Sequence, residues 1–173
     1  MNNYCFNINS GFVEEKITNS LKNLLNNDDF VVVCIGTDLA IGDSLGPYTG
    51  SLLVNDKDNK IVVYGTLDYP ITAKETETLT KTIKKIHPHS KILAIDAAVG
   101  NREDIGNVKV LNVPIKPGLG VNKNLSEIGD ISIIGIVSDK NQAVNKIIND
   151  TRLSLVVKMA KTIKNSVQKC AVN

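Results

Sequence analysis

The segment Phe30-Val-Val-Val-Cys-Ile35 constrains the fold more than any other stretch of the chain. An unbroken apolar run rich in β-branched residues reads as a strand buried on both faces. Such a strand needs a covering layer on each side of its sheet, so helices are expected above and below it. The chain then enters Gly36-Thr-Asp-Leu-Ala-Ile-Gly42-Asp43-Ser-Leu-Gly46-Pro47. This glycine-rich loop leads into a helix over roughly 46–55, with Pro47 suited to its first turn.

The remaining chain alternates between helical and strand periodicity. Val13, Ile17, Leu21, Leu24 and Leu25 recur at helical spacing, which predicts a helix over roughly 11–26 with Ser10 as its cap. Ile61–Tyr64 reads as a second, short strand. Thr72-Ala-Lys-Glu75 matches a capping box, and Leu79, Ile83 and Ile86 continue that helix until Pro88 stops it. Lys91–Asp96 reads as a third strand, buried; Val108–Ile115 as a fourth, antiparallel or at an edge; and Ile131–Val137 as a fifth. A short helix near 141–148 is expected, then a last helix capped by Asp150 or Thr151 and striped by Leu153, Val156, Val157, Ala160, Ile163 and Val167. The predicted fold is a single α/β domain over 1–173, a three-layer α/β/α sandwich on a mostly parallel sheet.

Bulk properties remove some function classes. The net charge is only +2, and the lysines are spread along the chain, so no nucleic-acid footprint is expected. Three distant cysteines, Cys5, Cys34 and Cys170, supply neither a disulfide framework nor a zinc knuckle. The first residues show no basic segment followed by an apolar one, and no apolar run is long enough to span a bilayer. A cytoplasmic protein without membrane contact is the expectation. Gly36, Gly42 and Gly46 do not match G-x-G-x-x-G, and no Walker lysine follows, so nucleotide binding is disfavoured. No G-x-S-x-G elbow occurs, and His87 and His89 flank Pro88 at the wrong end of a strand for a site beyond its carboxyl edge.

In open sheets of this type, ligands bind beyond the carboxyl ends of the strands. Three loops there carry chemistry: the glycine loop with Asp43; Ile95-Asp96-Ala-Ala-Val-Gly100; and Lys116-Pro-Gly-Leu-Gly-Val-Asn122-Lys123. Two carboxylates across a crevice can share a proton, the ionised one activating water and the protonated one assisting a carbonyl. The same pair can instead hold a divalent cation through its oxygens. Structural roles are open too: Asp43 can cap the next helix, and Asp96 can serve a strand-end turn. Asp38 fits a turn, and Asp68 fits a loop that could line the same rim.

These loops resemble two protease families. Gly36-Thr37 followed by Gly42-Asp43-Ser-Leu-Gly46-Pro47 is similar to the glycine-rich signature of hydrogenase maturation proteases, and looks closer still to the germination protease of bacterial spores. Ala94-Ile-Asp96-Ala97 matches the second aspartate segment of both, and Pro117-Gly-Leu-Gly-Val121 resembles a Pro-Gly-Ser-Gly-Val stretch of the germination protease. The set Gly36–Pro47, Tyr64-Gly-Thr-Leu-Asp68, Lys116–Lys123, Gly129-Asp-Ile131 and Asn149-Asp-Thr-Arg-Leu-Ser154 resembles the YyaC family of sporulation proteins (DUF1256) from about residue 30 onward.

The resemblance implies a phosphorylase/hydrolase-like fold and a sporulation-associated, aspartate-dependent endopeptidase acting on a protein substrate. It would work in the forespore or mother cell, with Asp43 and Asp96 catalytic. Candidate substrate-binding residues are Gly36, Thr37, Asp68, Lys116, Gly118, Gly120, Asn122 and Lys123, the amides after Gly118 and a lysine ammonium being placed to stabilise an oxyanion. The hydrogenase proteases hold nickel with a carboxylate pair and a His; the third loop here has Lys116-Pro117 and no His. The competing reading is a non-catalytic module that binds a peptide, ligand or metal on a protease-like scaffold.

Overall fold

The computed structural model describes residues 3–72, 74–117, 127–141 and 151–171. Six strands form one mixed sheet: β1 (Asn3–Asn7), β2 (Phe30–Cys34), β3 (Val63–Tyr64), β4 (Lys91–Gly100), β5 (Asn107–Leu111) and β6 (Ile131–Asp139). Their order across the sheet is β1-β5-β6-β4-β2-β3. The β3–β2, β2–β4 and β4–β6 pairings are parallel, whereas β5 and β1 add an antiparallel flank. Four α-helices belong to the described residues: α1 (Val13–Leu25), α2 (Leu45–Val54), α3 (Thr76–Ile86) and α4 (Leu153–Ala171).

The double-sided burial expected of Phe30–Ile35 is realised. Val32 and Cys34 join Leu93, Ile95, Ile131 and Ile133 in a core shared with Ile17 and Leu21 of α1, Leu53 of α2, and Val156 and Ile163 of α4. Val31, Val33 and Ile35 face the other way, with Ile92 and Ala94, against Ile83 of α3 and the pair Ile115 and Ile128. The sheet is thus the middle of three layers, the central strands β2 and β4 feeding alternate side chains to opposite cores.

The differences from expectation have local causes. β1 precedes α1, and Ser10 does not cap that helix: its hydroxyl donates to the Asn7 carbonyl at 2.8 Å, while Phe12, at φ 58°, occupies the N-cap position. α3 begins at Thr76 rather than Thr72. Half of the expected box still forms, since the Thr72 backbone N–H donates to Glu75 Oε2 at 2.9 Å. The predicted strand at 61–64 shortens to two edge residues, and that at 108–115 to Asn107–Leu111, where β5 runs antiparallel to β6. β4 runs on past Asp96 to Gly100 because β6 keeps pairing with it, through an irregularity at Ala98/Val99. Among the described residues, no helix is long and apolar enough to cross a membrane.

Candidate active site at a crevice between β2 and β4

The site arises from unequal strand lengths. β2 ends at Cys34, opposite Ile95, and the Ile35 backbone N–H still donates to the Ile95 carbonyl at 2.8 Å. Asp96 is therefore the first residue of β4 to lose its neighbour on that side, while Ile134 of β6 still pairs with it on the other. Beyond β2 the chain goes out through α2 to β3, on the side away from β4, and returns through α3 to β4. The strand order reverses between β2 and β4, and such switch points open crevices at the carboxyl edge.

Glycines bring the first loop down onto this crevice. Gly36 adopts φ +134°, and a Cβ there would lie 2.0 Å from the Asp43 carbonyl oxygen. A Cβ on Gly46 would lie 2.1 Å from the Ile35 carbonyl oxygen, so only glycine lets the start of α2 rest directly on the end of β2. The loop closes through the Thr37 backbone N–H, which donates to the Asp43 carbonyl at 3.1 Å, and a short 3₁₀ turn, Ile41–Asp43, presents the Asp43 side chain. Gly36 N–H donates to the Ile71 carbonyl at 2.9 Å, which ties this loop to the one leaving β3.

The two aspartates meet electrostatically. Burial pushes the Asp43 carboxyl up to about 6, against a backbone hydrogen bond from Thr37 that lowers it. Asp96 is only 8% exposed. Burial, then the nearby Asp43 charge, raise its carboxyl well above the usual range, opposed by a hydrogen bond from the Ala97 backbone N–H. That bond, 2.8 Å to Oδ1, is the one hydrogen bond to the Asp96 carboxyl among the described residues. No lysine or arginine pairs with either aspartate there. Both carboxyls are thus biased toward their protonated forms, Asp96 by the Asp43 charge as well as by burial.

The other candidate residues divide. Gly36 and Thr37 line the first loop beside Asp43. Asp68 is on the β3 loop, in a turn where the Thr66 N–H donates to the Tyr69 carbonyl at 3.1 Å. Lys116 is engaged elsewhere: its ammonium lies 3.3 Å from Glu127 Oε1 in an exposed pair. Gly118, Gly120, Asn122 and Lys123 fall outside the described residues, as do Asp150 and nearly all of the helix expected near 141–148. The stem of the third loop is held by Ile115 and Ile128, which exchange backbone hydrogen bonds of 2.9 and 3.0 Å. His87, at the opposite end of the sheet as expected, has its Nε2 2.9 Å from the Tyr64 hydroxyl.

Sequence reasoning missed the apolar part of the rim. Leu39 is 88% exposed, Tyr69 81% and Ile41 38%, all on the two tied loops. Their signal was available: bulky apolar residues inside Gly/Asp loops, where polar ones are usual.

Among the described residues, the donor set does not fit a nickel centre of the kind held by hydrogenase maturation proteases. Among the described residues no third His, Cys, Asp or Glu gathers with another two into a metal-binding group. Two carboxylates alone do not make the nitrogen- or sulfur-containing set that such a metal prefers.

Three likenesses place the chain. The solved [NiFe] hydrogenase maturation protease HycI from Thermococcus kodakarensis KOD1 superposes with a TM-score of 0.58 at 12% identity, covering 88% of this chain and 99% of that one. At that identity the likeness is one of fold: an α/β, protease-like scaffold. The uncharacterized protein YyaC of Bacillus subtilis (strain 168) is 40% identical over 133 residues, 77% of this chain. The match spans 65% of the YyaC length. The family model described as a protein of unknown function, DUF1256, matches residues 5–166, and the chain belongs to that family.

Proposed function

We propose that this protein is a sporulation-associated, aspartate-dependent endopeptidase that hydrolyses peptide bonds in a protein substrate. The observation that carries the reading is the pairing of Asp43 and Asp96 at the switch-point crevice, both raised and neither neutralised by a described cation. The fold likeness to a maturation protease supports the scaffold, and the motif resemblance to spore proteins supports the setting.

In this mechanism Asp43, ionised near neutral pH, takes a proton from a water as its oxygen attacks the scissile carbonyl carbon. Asp96 donates its proton to the carbonyl oxygen, so the tetrahedral intermediate is a neutral diol. Collapse breaks the C–N bond. Asp43 delivers its acquired proton to the departing amine, and a hydroxyl proton of the diol returns to Asp96. One water is consumed and both carboxyls regain their starting states. The test incubates the purified chain with extract of sporulating cells and maps new protein N-termini by mass spectrometry. New termini with wild type, absent with Asp43→Asn or Asp96→Asn, support the reading; equal cleavage by both variants contradicts it.

A second reading is a binding module on the same scaffold. The Lys116–Glu127 pair favours it, because it occupies a cation that could otherwise steady an oxyanion. It predicts partner capture by wild type with no new termini.

A further inference from the structure

The two most exposed large apolar side chains of the described residues, Leu39 at 88% and Tyr69 at 81%, stand on the two loops that border the aspartate crevice. These loops leave neighbouring parallel strands at the same edge and are tied by the Gly36–Ile71 hydrogen bond. Ile41, immediately before the Gly42-Asp43 turn, adds a third apolar side chain at 38% exposure. Neither loop is loose at these points. Leu39 N–H donates to Thr37 Oγ1 at 3.3 Å, and Tyr69 N–H donates to Thr66 Oγ1 at 3.1 Å. The Leu67 N–H is anchored to Ser51 Oγ of α2 at 2.9 Å. Ordered backbone presenting bulky apolar groups to water has no benefit for folding, since burying them is what folding would favour.

The charge on the same loops has one sign. Residues 36–43 and 65–72 contain Asp38, Asp43 and Asp68 and no lysine or arginine. Asp38 and Asp68 have no ion pair among the described residues. The acidic cluster gains a second, independent pointer from Asp96. It is 8% exposed, stands at the crevice, and has one carboxyl oxygen without a hydrogen bond among the described residues. A buried polar atom left without a partner is costly unless something arrives to fill it.

From this juxtaposition we infer that the rim selects an extended peptide segment carrying bulky apolar side chains together with a lysine or arginine. Leu39 and Tyr69 hold the apolar side chains, and Asp38 and Asp68 attract the cation. The inference rests on the proposed peptidase reading only for the fate of the bound peptide; recognition itself is separate from cleavage. Leu39, Tyr69, Asp38 and Asp68 are specificity residues, distinct from the reacting pair. Burial of one such apolar side chain is worth about tenfold in affinity. A rim ion pair contributes less, and its contribution falls with salt.

The experiment uses fluorescent decapeptides in four series: Leu/Phe with Lys, Leu/Phe with Glu, Ser with Lys, and Ser with Glu. Binding is read by anisotropy on the Asp96→Asn chain, where turnover is blocked under the peptidase reading, and on wild type. The Leu/Phe-with-Lys series is expected to bind at least about tenfold tighter than the Ser-with-Glu series. Leu39→Ser with Tyr69→Ser should erase the apolar preference. Asp38→Asn with Asp68→Asn should erase the lysine preference and its salt dependence. All four sites lie on surface loops, so unchanged circular dichroism and melting serve as the folding control. Equal binding of the four series, or preferences that survive both double variants, overturns the inference. Selective binding by wild type without cleavage of any bound peptide sinks the peptidase reading alone, whereas cleavage with no preference sinks this inference alone.

Discussion

Strand β4 carries an ionisable side chain near each end of its buried stretch, and the fold treats the two in opposite ways. Lys91, at the amino end, is fully engaged. Its ammonium donates to the Leu24 and Leu25 carbonyls at 2.9 and 3.2 Å, where α1 ends, and lies 2.9 Å from Asp28 Oδ2. Cation, helix carboxyl end and carboxylate satisfy one another. Further along the strand, Asp96 is more deeply buried, receives a single hydrogen bond among the described residues, from its own neighbour, and feels a second carboxylate. The amino edge of the sheet is built for stability. The carboxyl edge retains a pair that no cation among the described residues neutralises, and a pair in that state is a functional-site signal.

The contrast can be broken most directly at the aspartates. Asp43→Asn or Asp96→Asn is expected to lower peptide cleavage by about 10³-fold or more, the scale of a lost general acid or base, with no loss of melting temperature. Steady-state cleavage of a substrate found by terminus mapping checks this. Next in size is Gly46→Ala. Its new Cβ would meet the Ile35 backbone, 2.1 Å from O and 2.7 Å from N, atoms that cannot swing aside. We expect a loss of about 3 kcal/mol, near the upper end for overpacking, and a melting point lower by roughly 10 °C. Urea unfolding and calorimetry measure it.

Smaller effects sharpen the same comparison. Lys91→Met should cost about 1–2 kcal/mol, since hydrogen bonds from a charged donor are lost at a half-buried site, and should leave cleavage unchanged. Cleavage by wild type should fall about tenfold for each pH unit below about 6, because the Asp43 carboxyl titrates there and must be ionised to take the proton from water. The same carboxyl also sets how stability varies with pH. With the Asp43 carboxyl raised from 3.8 to about 6 by folding, the native state binds the extra proton between those values. Its contribution is full below 3.8 and is lost as pH rises through about 6. Wild type should therefore lose more stability than Asp43→Asn across that interval, read as denaturation midpoints on either side of it.

Much of the scaffold was legible from the chain, for reasons that also mark where legibility stopped. β2, the first half of β4, and β6 announce themselves as β-branched runs, and α4 as a long apolar stripe, because double-sided or one-sided burial leaves a strong period. β1 left none. Asn3-Tyr-Cys-Phe-Asn7 lies at an edge, and only Tyr4 and Phe6 pack against the core. The second half of β4, Ala97-Ala-Val-Gly100, has little strand propensity of its own and is extended by pairing with β6. That hid Asp96 inside a strand instead of at its mouth. Ser10 looks like a cap because its residue type ranks high for that role, whereas the turn that binds its hydroxyl to Asn7 leaves no local signature. Each aspartate stands out in the sequence, Asp43 in a glycine loop before a helix and Asp96 at the end of an apolar run. Their meeting does not, since it depends on Gly36 and Gly46 allowing loop and helix to descend onto β2. The apolar rim of Leu39 and Tyr69 is masked by the glycines and acids around it, which dominate the reading of those loops as turns.

Asp43 and Asp96 should titrate as a coupled pair, with the proton held by Asp96, and the proposed chemistry stands or falls on that coupling. Carbon-13 NMR titration of the aspartate carboxyl carbons, in wild type and in Asp43→Asn, addresses it directly. The expected result is one aspartate titrating near 6 and a second also raised well above 3.8, with the second moving down when Asp43 loses its charge. Two ordinary, independent titrations near 3.8, unaffected by the substitution, would contradict it.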